Sequence, residues 1–140
     1  MRHIMSGYFE LLKHKVIHRD IKPANILLKQ GVAKLSDFGF SRVVDEPNKT
    51  QKLSCLGTPL YTAPEVLARQ EFSNSCDVWS MGIVFYEMLH GRAPWTGSDI
   101  ENLYHNIKTL KIDFKPNLDP QIKNLITRML AVDRHSRISW

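Results

Sequence analysis

The stretch HRDIKPANILL, residues 18–28, brings groups that could do chemistry close together. Asp20, Lys22 and Asn25 supply a carboxylate, an ammonium group and a carboxamide just ahead of an apolar run. Such groups can hold a proton, balance an anion and offer a neutral oxygen. An isolated Asp-x-Lys pair is more often a surface ion pair worth under about 1 kcal/mol. The rest of the chain therefore decides between a site and a charged turn.

Further motifs follow in a fixed order. They are DFG at residues 37–39, GTPLY at 57–61, APE at 63–65, DVWSMG at 77–82, and Arg137 near the end. Each short motif alone is a weak signal, but the ordered set is very specific. It resembles the large lobe of a eukaryotic protein kinase, and the resemblance covers essentially the whole chain.

The resemblance implies a mainly α fold, in which a helical bundle carries short β-hairpins around the catalytic loop. It implies one partial kinase domain over residues 1–140, truncated at both ends. The family's small β-rich lobe is expected to be absent, because the chain contains no G-x-G-x-x-G phosphate loop. Two hypotheses follow: the catalytic lobe of a Ser/Thr kinase whose other lobe lies elsewhere, or a non-catalytic remnant that acts as a protein-binding module.

The resemblance assigns four residues to the transfer of the ATP γ-phosphate, namely Asp20, Lys22, Asn25 and Thr58. This reaction depends mostly on positioning and charge neutralisation. Asp20 resembles the catalytic base that orients the substrate hydroxyl and accepts its proton. Lys22 would reach the γ-phosphate, and a Lys at this place is typical of serine/threonine kinases. Thr58 agrees with that class, since its hydroxyl there hydrogen-bonds between the catalytic Asp and Lys.

The same resemblance assigns cofactor contacts, with ATP and Mg²⁺ as the implied cofactors. Asn25 and Asp37 would bind the metal through a neutral and an anionic oxygen, which are ligands that Mg²⁺ accepts. Leu27 matches the residue that forms the floor under the adenine ring. Gly39 is expected to let the backbone turn freely after the metal ligand.

Five residues have structural roles in the family. His18 would pack under Phe38, and Asp77 would anchor the backbone of the catalytic loop. Glu65 and Arg137 would form a buried ion pair. Without the resemblance, Asp77 could be only a helix cap, and Glu65 and Arg137 could be unrelated surface charges.

Arg19 beside Asp20 marks the class that is usually controlled by phosphorylation of the activation loop. A phosphate there would give Arg19 a charge-assisted partner. Ser54 occupies the usual position of the phosphosite, and Thr50 is a second candidate. This predicts an upstream activating kinase or a regulatory subunit as a partner, besides a protein substrate with Ser or Thr.

Finer features of the chain give two weaker predictions. The run DFGFSR…CLGTPLYTAPE most resembles the autophagy-initiating Ser/Thr kinases and their protist relatives. Arginine-directed relatives use two carboxylates to recognise a basic residue before the target. Glu87 matches one of them, and Ala24 stands where the other would be. We therefore expect weak selection for basic residues.

The elements that must position these residues follow from periodicity and turn signals. Residues 2–13 have the apolar spacing of an amphipathic helix, and residues 26–28 and 32–35 flank a short turn. Residues 45–54 are polar and predict a surface loop. A short helix over 63–68, a buried central helix at 78–89, a capping box of Ser98 and Glu101, and a helix starting at Asp119 complete the prediction.

Composition places the chain among soluble globular proteins, with 43% apolar and 24% charged residues. The net charge of +5 comes from scattered residues, which favours a solvated basic surface or a polyanionic small ligand over nucleic acid. No segment is long and apolar enough to predict a membrane span. Cys55 and Cys76 show no metal or disulfide spacing, which is typical of a reducing compartment and predicts a cytoplasmic protein.

Overall fold

The computed structural model describes residues 1–45 and 58–139. Most of the predicted polar loop, including Thr50, Ser54 and Cys55, lies outside the described residues. The helices are α1 (Arg2–Lys13), α2 (Pro64–Leu67), α3 (Ser75–His90), α4 (Ile100–Thr109) and α5 (Pro120–Met129). The strands are β1 (Val16–Ile17), β2 (Ile26–Lys29), β3 (Val32–Leu35) and β4 (Arg42–Val43). The predicted mainly α fold with short antiparallel strand pairs is confirmed.

Helix α1 is the amphipathic helix that the apolar spacing predicted. Ile4 and Tyr8, four residues apart, are both buried and place this face against the core. Phe9 is half exposed and lies under the ammonium group of Lys13. The buried face also contacts β1 and β3, so α1 supports the loop between them.

The β2–β3 hairpin determines which residues meet at the site. Ile26 pairs with Leu35, and both Gln30 and Gly31 in the turn have positive φ, as a two-residue hairpin turn requires. At the open end the backbone N–H of Ser36 donates to the carbonyl of Asn25 at 2.9 Å. The register therefore brings Asn25, which precedes β2, next to the residues that follow β3.

Helix α3 is the buried central helix. Every residue from Cys76 to Tyr86 is buried, as expected of a segment that is apolar on all sides. The helix ends at Gly91, which has a φ of 75° and the left-handed conformation that suits glycine at a C-terminus. The alternative that Asp77 caps this helix is wrong: Asn74 occupies the N-cap, and the carboxylate of Asp77 bonds to residues outside the helix.

At Gly82, α3 approaches the end of α5 closely, and this close approach can be tested by substitution. A Cβ added there would lie 2.8 Å from Cδ2 of Leu130 and 3.0 Å from Cβ of Met129. We expect Gly82→Ala to lower the free energy of unfolding by about 1–3 kcal/mol through overpacking. Gly7→Ala is the matched control, since its Cβ meets only Leu35 at 4.0 Å and helix propensity favours alanine. Equal urea midpoints for the two variants would contradict the close approach.

The predicted capping box at the start of α4 is wrong. Asp99, not Ser98, is the N-cap, and its carboxylate accepts the backbone N–H of Asn102 at 2.8 Å. That bond, followed by one from the Ser98 hydroxyl, holds the pKa of Asp99 below its usual value. At α5 the prediction is confirmed, because Asp119 accepts from the N–H groups of the first turn. Asp99 is favoured because its carboxylate accepts more strongly than a serine hydroxyl.

No helix within residues 1–45 and 58–139 combines the length and the apolar character that crossing a membrane requires.

Candidate active site

A buried carboxylate fixes the position of the loop between β1 and β2. Asp77 is fully buried, and its two oxygens accept the backbone N–H groups of His18 and Arg19, each at 2.8 Å. Burial raises the pKa of Asp77, while these two donors favour its charged form and act in the opposite direction. Arg19 is held with a φ of 71°, a conformation that non-glycine residues rarely adopt. The anchor thus supports the turn that leads into Asp20.

His18 links this loop to the end of β3. The backbone N–H of Asp20 donates to Nδ1 of His18 at 3.3 Å, so Nδ1 carries no proton. Its Nε2 lies 3.2 Å from the carbonyl of Ser36 and donates to it. The ring is fully buried and lies 5.2 Å from the ring of Phe38. His18 therefore joins both chain segments of the site.

Four of the residues that the sequence singled out form one bonded cluster. The ammonium group of Lys22 lies 2.9 Å from Oδ2 of Asp20 and 3.0 Å from the hydroxyl of Thr58. The amide of Asn25 donates to the same Asp20 oxygen and to the Asp20 carbonyl, both at 2.8 Å. Asp20 and Asn25 are buried, and Lys22 is partly exposed. The buried carboxylate of Asp20 is thus held in place by Lys22 and Asn25.

Asp37 lies at the same end of the hairpin as Asn25, two residues beyond β3. Its φ is 61°, and its Oδ1 accepts the backbone N–H of Gly39 at 3.2 Å. The expectation for Gly39 needs a correction, because the left-handed conformation falls on Asp37 and Gly39 has no positive φ. A Cβ at Gly39 would come within 3.2 Å of the Asp37 carboxylate, so the small size of Gly39 keeps that carboxylate uncrowded.

The side-chain oxygen atoms of Asn25 and Asp37 are suited to binding a small, hard cation. Asn25 uses its amide nitrogen for both bonds to Asp20, and its Oδ1 accepts none from the described residues. Asp37 is exposed and keeps Oδ2 without a bond from that same part of the chain. One amide oxygen and one carboxylate are the few hard ligands that Mg²⁺ takes when phosphates and water complete its shell. No group of three or more acidic, His or Cys side chains within residues 1–45 and 58–139 competes as a metal site.

Two other predicted contacts lie at the margins of this cluster. Leu27 in β2 is 58% exposed, so its side chain is available as an apolar surface. Arg19 packs its guanidinium over Phe72 at 5.1 Å and donates weakly to the carbonyl of Phe40 at 3.5 Å. Ser54 and Thr50, the predicted phosphosites, lie outside the described residues.

Glu65 and Arg137 meet in the core although 72 residues separate them. Two parallel hydrogen bonds of 2.8 and 2.9 Å join the guanidinium to the carboxylate, and both side chains are buried. The other donors of Arg137 reach the carbonyls of Ser75, Ala131 and Val132. This pair ties α2 to the segment that follows α5.

The sequence analysis missed two polar contacts near the site. The hydroxyl of Tyr61 donates to Glu87 at 2.8 Å. Partial burial, together with that hydrogen bond, raises the pKa of Tyr61 to about 12. Ser36 uses its hydroxyl, its N–H and its carbonyl to connect Asn25 and His18. The sequence offers no signal for either, because both depend on contacts between distant segments.

Comparison with known proteins identifies the class of protein. The protein kinase domain family matches residues 1–140, and the chain therefore belongs to that family. The Aurora kinase of Dictyostelium discoideum is 42% identical over 91% of this chain and 32% of its own length. The serine/threonine-protein kinase atg1 of the same organism is 35% identical over 100% of the chain and 21% of its own length.

A third relative is the serine/threonine-protein kinase Sgk1-A of Xenopus laevis, which is 41% identical over 94% of the chain. The chain thus spans about a third or less of the length of these relatives. The predicted resemblance to Ser/Thr kinases is confirmed, and the atg1 kinase is among several similar proteins.

Proposed function

We propose that residues 1–140 form part of the domain of a Ser/Thr protein kinase, and that the bonded cluster transfers the γ-phosphate of ATP to a Ser or Thr hydroxyl of a protein substrate. The observation that carries the proposal is the set of contacts among Asp20, Lys22, Asn25 and Thr58. It holds a buried carboxylate and an ammonium group 2.9 Å apart at one end of the β2–β3 hairpin. Such preorganisation supplies most of what phosphoryl transfer needs from a protein.

Each residue of the cluster has a role that its contacts support. Asp20 is aligned by the amide of Asn25, and it orients the incoming hydroxyl and accepts its proton. Lys22 balances the negative charge of the phosphoryl group being transferred. Thr58 accepts from Lys22 and limits where its ammonium group can lie.

Asn25 and Asp37 are the residues that would bind Mg²⁺, through Oδ1 of the amide and the carboxylate. Mg²⁺, when bound, supplies charge neutralisation for the phosphates of ATP. His18 keeps both segments in register, since it bonds to Asp20 on one side and to Ser36 on the other. Leu27 offers an apolar contact for the adenine ring.

Regulation and partners belong to the same proposal. Arg19 precedes the catalytic carboxylate of Asp20, and its guanidinium makes only one weak hydrogen bond within the described residues. It is suited to a phosphate on Ser54 or Thr50 supplied by an activating kinase. A protein substrate and a cytoplasmic location follow from the proposed class.

The proposal predicts phosphate transfer to Ser and Thr and none to Tyr. The assay uses γ-labelled ATP, Mg²⁺ and a peptide library with each hydroxyl acceptor. Since the chain has no glycine-rich phosphate loop, the assay is run with the chain alone and with the chain joined to the small lobe of a related kinase. Label on Ser and Thr that disappears when EDTA removes the metal supports the proposal. Label on Tyr, or no label in either form, contradicts it and favours a protein-binding module.

A further inference from the structure

A cluster of rings holds the segment after α4 against the end of α3. The rings of Tyr86 and His90 stack with centroids 3.9 Å apart and planes 3° from parallel. Phe114 meets both rings edge-on, at 5.7 and 5.8 Å. Tyr86, His90, Phe114 and Lys115 are here called the His90 clasp. It lies apart from the proposed phosphate-transfer cluster and shares no residue with it.

The hydrogen bonds of the clasp allow only one form of His90. The backbone N–H of Lys115 donates to Nε2 of His90 at 3.1 Å. A backbone N–H can only donate, so Nε2 must carry a lone pair. Nδ1 lies 3.0 Å from the carbonyl of Tyr86 and donates to it. The clasp therefore requires a neutral imidazole with its proton on Nδ1.

A second proton on His90 would break this arrangement. It would turn Nε2 into a donor that faces the donor N–H of Lys115, and the bond between them would be lost. The carbonyl of Tyr86 is already bonded to Nδ1 and offers Nε2 no replacement.

Cationic groups lie around the clasp. Lys115 bonds its ammonium group to the carbonyl of Leu89, and Arg92 lies two residues beyond the end of α3. From α5, Lys123 lies 5.5 Å from the Phe114 ring. Asp113 is paired with Arg92, so these two charges largely balance each other.

The other titratable groups near the ring are also accounted for. Glu87, one turn earlier on α3, accepts from Tyr61. Tyr86 donates its hydroxyl to the carbonyl of Asp113, and burial raises the pKa of that phenol, so it stays protonated.

We propose that the His90 clasp is a pH-sensitive switch: a proton on His90 breaks the bond that joins the Lys115 backbone to the end of α3. Histidine side chains take up a proton between about pH 8 and about pH 5. The bond to Lys115 is present on the alkaline side of this interval and is lost on the acidic side. Lys115 lies in the segment that joins α4 to α5.

Two NMR measurements on the 140-residue chain test the switch. The ¹⁵N shifts of His90 at about pH 8 should report a proton on Nδ1 and none on Nε2. The protection factor of the Lys115 amide, which corrects for the intrinsic effect of pH on exchange, should fall about fivefold to tenfold on acidification to about pH 5.

Two variants separate the switch from general acid sensitivity. His90→Phe keeps a ring to stack on Tyr86 but has no acceptor, so protection at Lys115 should be low and independent of pH. His105→Gln removes an exposed histidine of α4 and should leave the wild-type fall unchanged. A proton on Nε2 at alkaline pH, a pH-independent Lys115 amide in the wild type, or an equal fall in His90→Phe would each overturn the proposal.

Discussion

Replacing Asp20 with asparagine is expected to slow phosphate transfer by about 10²- to 10⁴-fold, the range that a positioned proton acceptor contributes. Asparagine keeps the size of the side chain and an oxygen that can accept from Asn25, but it cannot take a proton from the substrate hydroxyl. The loss should fall on kcat and leave KM for ATP nearly unchanged, because Asp20 is not assigned to the nucleotide. Initial rates with the Ser/Thr peptide measure both parameters.

The control for this variant is Asp113→Asn, which makes the same chemical change at an exposed carboxylate paired with Arg92. It should retain wild-type activity. Circular dichroism of Asp20→Asn should match that of the wild type, so that the loss of activity is not a loss of fold. An Asp20→Asn variant within about threefold of the wild-type rate would remove Asp20 from the proposed role of base.

Replacing Arg137 with methionine is expected to lower the free energy of unfolding by about 3–5 kcal/mol. The change would leave the carboxylate of Glu65 buried without its partner, and it would also strand the carbonyls that Arg137 bonds. Since folded proteins have only about 5–15 kcal/mol of stability, the single variant should be close to unfolding. Urea denaturation followed by circular dichroism gives the value.

The double variant Glu65→Leu with Arg137→Met separates the cost of the unpaired carboxylate from the cost of the carbonyls that lose their donor. It removes both charges, and we expect it to recover a large part of the loss because replacing a buried pair by apolar groups is often neutral. Lys13→Met, which breaks the exposed pair with Glu10, is the control and should leave stability nearly unchanged. A double variant as unstable as Arg137→Met would show that the stranded carbonyls, and not the unpaired carboxylate, dominate the loss.

Elements with a local signal could be predicted from the sequence. Helix α1, the β2–β3 hairpin and the start of α5 at Asp119 depend on periodicity or turn chemistry within a few residues. The contacts of Asp77 with the loop between β1 and β2, and of Glu65 with Arg137, join segments more than 50 residues apart. Such pairs could be predicted only from the resemblance to protein kinases.

Other features could not be predicted because they depend on competition between neighbouring groups. Ser98 and Asp99 are both good helix caps, and it is the Asp99 carboxylate that accepts the backbone N–H of Asn102. Asp37 adopts the positive φ expected of Gly39 because an aspartate tolerates that conformation. Phe114 comes from a different segment and contacts Tyr86 and His90 edge-on, a contact that sequence periodicity alone does not predict.

The most direct test of the central claim is paramagnetic NMR with Mn²⁺ in place of Mg²⁺, in the presence of ATP. Mn²⁺ accepts the same oxygen ligands and broadens the signals of nearby amides even when binding is weak. The account predicts that the amides of Asn25 and Asp37 broaden first, that excess Mg²⁺ restores them, and that Asp37→Ala abolishes the effect. Broadening centred elsewhere on the chain, or unchanged by Asp37→Ala, would contradict it.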